Sequence, residues 1–210
     1  MKKTKIKEPL LPSLEELPVT LKDETLIEQT LLQQQDYSYS HYTNLVIRES
    51  HLKQVFWGHS RLERFECSNV IFEKCDLSNL EWIGASFHQV VFKQCKLVGT
   101  NFAESFLRDV RFEDCLGNLA SFSMTNLKAV AFQDCQLPES EFYELKWQNL
   151  NLAGCELTGS NWFRTKLAGL DFTRNSFEQI AFSQELLKGL KVNQEQALII
   201  AAGLGIQIED

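Results

Sequence analysis

The sequence predicts an all-β solenoid with four-sided coils, closed by a short C-terminal helix. The first observation is a period of five. Every fifth residue from Leu52 to Val192 is Leu, Phe, Trp or Val, except Cys67 and Gly117. All four tryptophans and most of the 15 phenylalanines fall in this one register. A period of five is neither the 3.6 of an amphipathic helix nor the 2 of an ordinary strand. It marks an internal repeat, which sets the architecture. The second observation is a period of 20, seen in Cys75, Cys95, Cys115, Cys135 and Cys155, and again in Phe72, Phe92, Phe112 and Phe132. Like residues recurring once per four units imply four units per coil, with side chains stacked in columns.

Each unit justifies one side of a coil. The large apolar residue is its centre. Two residues earlier stands a second inward position, usually small or branched: Val70, Cys75, Ala85, Val90, Cys95, Thr100, Ser105. The residue between them is mostly polar, as in Cys75-Asp76-Leu77 and Thr100-Asn101-Phe102. In, out, in is the alternation of a very short strand, and the two residues after the centre suit a turn. With about 4.8 Å between coils, eight coils give a rod roughly 38 Å long. Pairing between coils would satisfy the buried backbone groups.

Taken in order, residues 1–24 are an arm outside the repeat, with Pro9, Pro12 and Pro18 favouring extended chain. The stretch after it reads two ways. Asp23 suits the cap of a helix through Leu26, Ile27 and Leu31. Thr25-Leu26-Ile27 and Thr30-Leu31-Leu32 also fit the five-residue register, and residues 25–192 are assigned to the repeat. The register then runs from Gln35 to Val192 without a slip, with Gly117 its weak place. Residues 193–210 form the end. Asn193 and Gln196 suit an N-terminal capping pair, residues 194–202 a helix, and Gly203 the left-handed position beyond it. Gly205-Ile206-Gln207-Ile208 alternates like a strand. A helix this short must dock. It would cover the open end of the solenoid or join two copies, and Leu198, Ile199, Ile200, Leu204, Ile206 and Ile208 are more apolar surface than a lone cap needs.

The tandem pattern A/C/S/T/V-x-L/F-x-x resembles the pentapeptide-repeat family, which implies a right-handed quadrilateral β-helix. The tail Asn193-Gln194-Glu195-Gln196, followed by Gly203-Leu204-Gly205-Ile206-Gln207-Ile208-Glu209-Asp210, is similar to that of the quinolone-resistance (Qnr) group. That resemblance implies a homodimer joined through the C-terminal segments. It also implies binding to DNA gyrase and topoisomerase IV, as a rod imitating duplex DNA, with protection from fluoroquinolones. Many Qnr proteins carry projecting loops that break the register, and this sequence has none evident. The N-terminal arm is the substitute that the sequence offers. The alternative is a scaffold whose partner is unrelated to topoisomerases, since a fold does not fix its function.

Composition sets the other expectations. The 210 residues carry a net charge of −7, which disfavours direct nucleic-acid binding. No apolar run reaches the ~18 residues that span a bilayer. The start lacks an apolar segment before a cleavage site, so a cytoplasmic protein is expected. Six cysteines would suggest disulfides, but stacked parallel side chains aim poorly at one another, and cytosolic thiols stay reduced. There is no metal-ligand spacing, so the cysteines are read as small fillers. His41, His51, His59 and His88 are scattered, and Glu185 is the one acid at an inward position. No phosphate loop, nucleophile elbow or HExxH motif is present. No enzyme, cofactor or metal is expected.

The register assigns each outward charge to a face. The first face, centred on Trp57, Leu77 and Leu97, carries Asp36, Asp76, Glu139, Glu156 and Glu178 against Lys96. The second, centred on Leu62, Trp82 and Phe102, carries Glu63, Glu81, Glu104, Glu141 and Glu144 against Arg61, Arg64 and Arg164. The third, centred on Cys67, Phe87 and Leu107, is net positive through Arg48, Arg108, Lys128, Lys146, Lys166 and Lys188. The fourth, centred on Leu52, Phe72 and Phe92, is near neutral. B-DNA presents a charge per ~1.7 Å, far denser than this, so shape and specific contacts must add to charge. The expected partner-binding residues are Asp76, Glu81, Glu139, Glu141 and Glu156, aided by the arm.

Overall fold

A computed structural model describes residues 5–209, and it is a parallel β-solenoid of about eight coils. The coils stack at an offset of 20: Val70 pairs with Val90, Val90 with Val110, and Val110 with Val130. Six eight-residue strands cover the third and fourth faces: Val46–Lys53, Glu66–Glu73, Ser86–Lys93, Phe106–Glu113, Asn126–Gln133 and Lys146–Ala153. The first and second faces are joined mainly by single-residue bridges, such as Asp76 to Lys96 and Glu81 to Asn101, with three-residue pairs at the two ends of the second face, His41–Thr43 with Arg61–Glu63 and Ser160–Trp162 with Ile180–Phe182. The corners follow from backbone conformation. Asn69, Lys74 and Asn79, three successive corner residues, have φ of 54°, 53° and 54°. This left-handed region turns the chain sharply and favours Asn, Asp and Gly.

The interior consists of columns. Phe72, Phe92, Phe112 and Phe132 stack face to face with centroids 4.9, 4.8 and 4.6 Å apart. Phe102, Phe122, Phe142 and Trp162 form a second stack at 5.0, 5.3 and 4.2 Å. The two columns meet edge to face, with Phe122 at 83° to Phe132. Offset stacks and T-shaped pairs are both favoured by the ring quadrupole. The small inward residues have a second task. Cys95 Sγ donates to the carbonyl oxygen of Phe72 (3.3 Å), and Cys115 Sγ to that of Phe92 (3.4 Å). Thr125 Oγ1 does the same to Phe102 (2.9 Å). A hydrogen-bonding group at this position thus satisfies a buried carbonyl one coil earlier. All six cysteines are free and buried. Burial pushes the Cys67 and Cys95 thiols well above their ordinary range, which keeps them protonated and unreactive.

The structure decides the two readings left open at one end and corrects expectations at the other. No helix forms around Asp23, whose carboxylate accepts from the Thr43 N–H at 2.9 Å. Leu26–Glu28 and Thr30–Gln33 are strands of the first coil, paired with Val46–Lys53. At the far end the register slips. Glu185 does not point inward: it is exposed on the 3₁₀ turn Gln184–Leu186. Ser183 takes the inward place, its Oγ accepting from Arg164 N–H at 2.9 Å. A carboxylate turned inside would lose water without a partner, which favours the slip. Gly117 makes no dent: its N–H still donates to the Gln136 carbonyl (2.7 Å), and Leu137 leans into the space.

The C-terminal helix Gln194–Gly203 carries a complete capping box between Asn193 and Gln196. The Gln196 side chain is buried and donates to the Phe172 and Asn175 carbonyls at 2.8 and 2.7 Å. Ile199 and Ile200 pack against the core. The helix therefore caps the open end of the rod, where orphan carbonyls would otherwise face water. Gly203 is the last helical residue, and Gly205 takes the left-handed conformation at φ 81°. Gly205–Ile208 is not a strand, because no neighbouring edge pairs with it.

Candidate interaction surface

The five acids fall on two adjacent faces. Asp76 and Glu156 share the middle column of the first face, Asp36-Phe56-Asp76-Lys96-Leu116-Gln136-Glu156-Ser176. Glu81 and Glu141 share that of the second, Arg61-Glu81-Asn101-Ser121-Glu141-Asn161. Glu139 sits on the corner between them, at φ 55°. Glu139 and Glu141 thus lie on one coil and Glu156 on the next, grouped about the corner between the two faces. Asp76 and Glu81 lie several coils away and are tempered by cations: Lys96 is 3.4 Å from Asp76, and Arg61 is 3.7 Å from Glu81. The carboxylates also order the backbone. Asp76 accepts from the Ser78 N–H (3.1 Å) and hydroxyl (2.7 Å), and Glu156 from the Thr158 N–H (2.7 Å). Against the cost of partial burial, the Ser78 bonds and Lys96 hold the Asp76 carboxyl below its ordinary range.

The arm lies elsewhere. Its backbone runs outside the corner between the third and fourth faces, diagonally opposite the acidic corner. Leu10 N–H donates to Asn69 Oδ1 (3.1 Å), Gln89 Nε2 to the Glu8 carbonyl (2.9 Å), and Lys7 N–H to Asp109 Oδ1 (3.1 Å). The Arg111 guanidinium pairs with the Glu8 carboxylate. Val91 is only 6% exposed although it faces outward on the fourth face beside Gln89, where the arm crosses. Residues 7–10 are thus held away from the acidic faces, whereas Glu15–Glu16 pairs with Thr30 and Leu31 and the Val19 carbonyl accepts from the Tyr37 hydroxyl at 2.6 Å. Sequence reasoning missed this because the docking partners, Asn69, Gln89 and Asp109, read as ordinary corner residues.

The tail divides the six apolar candidates. Ile199 and Ile200 pack on the core, whereas Leu198, Leu204, Ile206 and Ile208 stay exposed. Sequence reasoning also passed over the outward apolar residues Phe106, Leu116, Leu119 and Met124, all exposed on one turn of the coil. Their place in the five-residue register was the available signal.

An open concavity of about 660 Å³ on the corner between the first and second faces is lined by Tyr39, His41, His59, Arg61 and Glu81 among others. The Tyr39 and His59 rings stack there at 5.1 Å. Among the described residues no group of His, Cys, Asp and Glu is placed to hold a metal, and no helix is long and apolar enough to cross a membrane.

Four short sides per coil, a left-handed residue at nearly every corner and columns repeating every 20 residues define a β-solenoid built from five-residue units. Residues 65–162 are a pentapeptide-repeat region: the family model "Pentapeptide repeat region" matches residues 65–142 and 85–162. No curated protein matches the sequence. Among solved structures, a trypsin-treated form of QnrB1, a plasmid-mediated fluoroquinolone resistance protein, is 16% identical over 90% of this chain and 97% of its own, with a TM-score of 0.40. HetL, involved in heterocyst differentiation regulation in the cyanobacterium Nostoc, is 14% identical over 80% and 87%, with a TM-score of 0.39. A thylakoid-lumen protein of Arabidopsis thaliana is 21% identical over 47% and 66%, with a TM-score of 0.34.

Proposed function

We propose that the protein is a non-enzymatic, cytoplasmic interaction protein that binds DNA gyrase or topoisomerase IV and relieves their inhibition by fluoroquinolones. The observation that carries this reading is the acidic cluster of Glu139, Glu141 and Glu156 on two adjacent faces of a rigid rod, with Asp76 and Glu81 farther along the same faces. A straight array of carboxylates suits a basic groove that ordinarily takes a duplex. Residues 7–10 of the arm are held on the opposite corner and are left out of this contact. Neither a cofactor nor direct nucleic-acid binding enters the reading.

The exposed Leu198, Leu204, Ile206 and Ile208 support assembly through the tail. Two copies joined end to end would make a rod of about 75 Å. Light scattering that reports a monomer at tens of micromolar would count against the dimer.

A specific observation favours the second reading, a scaffold with an unrelated partner. Asp76 is paired with Lys96 and Glu81 stands near Arg61, so the charge on these faces is sparse for a duplex mimic. A supercoiling assay with ciprofloxacin separates the two. Restored supercoiling in the presence of the purified protein is expected. Unchanged inhibition of both topoisomerases would leave the scaffold reading.

A further inference from the structure

Four large apolar side chains stand exposed on one turn of the solenoid: Phe106 (60%), Leu116 (45%), Leu119 (57%) and Met124 (45%). Two of them are disfavoured twice over. Leu119 and Met124 occupy corners with φ of 61° and 56°, where a residue with a Cβ is strained and Asn, Asp or Gly is at ease. Among the described left-handed residues other than glycine, they alone carry large aliphatic side chains. Their N–H groups donate to the Pro138 and Tyr143 carbonyls at 3.0 and 2.8 Å, so the backbone stays within the ladder and the side chains project from it. Neither local backbone preference nor solvation explains a leucine and a methionine here. Burial against another surface does.

The surroundings say what kind of surface. Between the two corners lies Ser121, which carries no charge, with Glu141 next below it in the column. Glu104 stands one coil above Met124, and Glu139 one coil below Leu119. An apolar centre with a carboxylate border complements an apolar patch bordered by cations. Methionine adapts its shape to such a surface. We propose that Leu119 and Met124 are the anchors of a docking site for a partner protein whose apolar patch is rimmed by lysine or arginine side chains. The site deepens the reading of the first and second faces as the contact surface, and it does not require the partner to be a topoisomerase.

The test is the double variant Leu119→Asn/Met124→Asn. Asparagine suits the left-handed corner, so the melting temperature should hold or rise, which removes misfolding as an explanation. Two probes are used with wild type and variant: purified DNA gyrase, and a synthetic helical peptide with leucines on one face and lysines on the others. The variant should bind each at least about tenfold more weakly, as loss of a central anchor does. If gyrase binds neither protein but the peptide still loses affinity for the variant, the topoisomerase assignment fails and the docking site stands. Equal binding of either probe by wild type and variant overturns the docking site, as does a wild type that ignores the peptide. Self-association of wild type that the variant loses would assign the patch to a second copy, and this also overturns the proposal.

Discussion

The Thr100 hydroxyl donates a 2.7 Å hydrogen bond to the Leu77 carbonyl oxygen, one coil earlier and 23 residues back. The same link recurs from Ser105 to Trp82, Thr125 to Phe102 and Cys95 to Phe72. It explains why Ser, Thr and Cys share a position with Ala and Val: the site is small and apolar, but a carbonyl looks into it.

Thr100→Val keeps the volume and removes the donor. The Leu77 carbonyl then keeps its turn bond from Leu80 N–H, so the cost should be about 1 kcal/mol rather than that of a wholly orphaned group. Thr100→Ser should cost less than Thr100→Val. Urea unfolding midpoints of the two variants decide it, and a Val variant as stable as wild type would deny the carbonyl its role.

Phe112→Ala should be far more damaging. The ring is fully buried and sandwiched between Phe92 and Phe132. A loss of about 3–5 kcal/mol is expected from the cavity. Phe106→Ala, an exposed position on the same strand, should fall within about 0.5 kcal/mol of wild type. Similar losses at both positions would show that inside and outside are misassigned.

Two of the buried thiols, Cys67 and Cys95, make stability sensitive to alkali. Burial raises the Cys67 and Cys95 thiols well above the ordinary value of about 9 in the folded chain. As pH rises, the unfolded chain therefore sheds these protons first. Their contribution is whole below about pH 9 and is lost progressively above it, towards the folded values. Urea midpoints measured from pH 7 to 10.5 should fall at the alkaline end, and less steeply in a Cys67→Ala/Cys95→Ala variant. A thiol reagent at pH 8 should react only after denaturant is added.

Releasing the arm should change its own hydrogen exchange more than it changes the stability of the fold or drug protection. Arg111→Glu sets two carboxylates against each other at Glu8. The pair is partly exposed, so the cost should stay within about 1 kcal/mol. Hydrogen exchange should rise at Lys7 and Leu10, whose N–H groups bond Asp109 and Asn69. Unchanged exchange at both would mean that the backbone contacts alone hold the arm.

Reversing Glu139, Glu141 and Glu156 together to lysine should abolish drug protection, while reversing Arg108, Lys128 and Lys146 on the third face should spare it. Rising salt should weaken the wild-type contact. Equal protection by both triple variants, read in the supercoiling assay, would sink the acidic-face mechanism and leave the gyrase assignment standing.

The periods of five and 20 already contained the solenoid. Once a large residue recurs at Phe72, Phe92 and Phe112 with a small one at Val70, Val90 and Val110, only a coil of four sides buries both sets at once. The same register put Asp76, Glu139 and Glu156 on the outside. What it could not fix were the places where the repeat meets something outside itself. The register slips at Ser183 and Glu185 because the coil there has no full successor and desolvation decides which side chain turns in. The arm docks on Asn69, Gln89 and Asp109 through contacts as many as 102 residues apart in sequence, for which no local pattern exists. Leu119 and Met124 were legible as outward residues, but their left-handed strain, and so their oddity, belongs to the backbone. Periodicity reports contacts between identical neighbours. The capped helix that closes the array was legible at Asn193 and Gln196, but tertiary structure alone sets where the register yields before it, what crosses the faces and which exposed side chains the conformation disfavours.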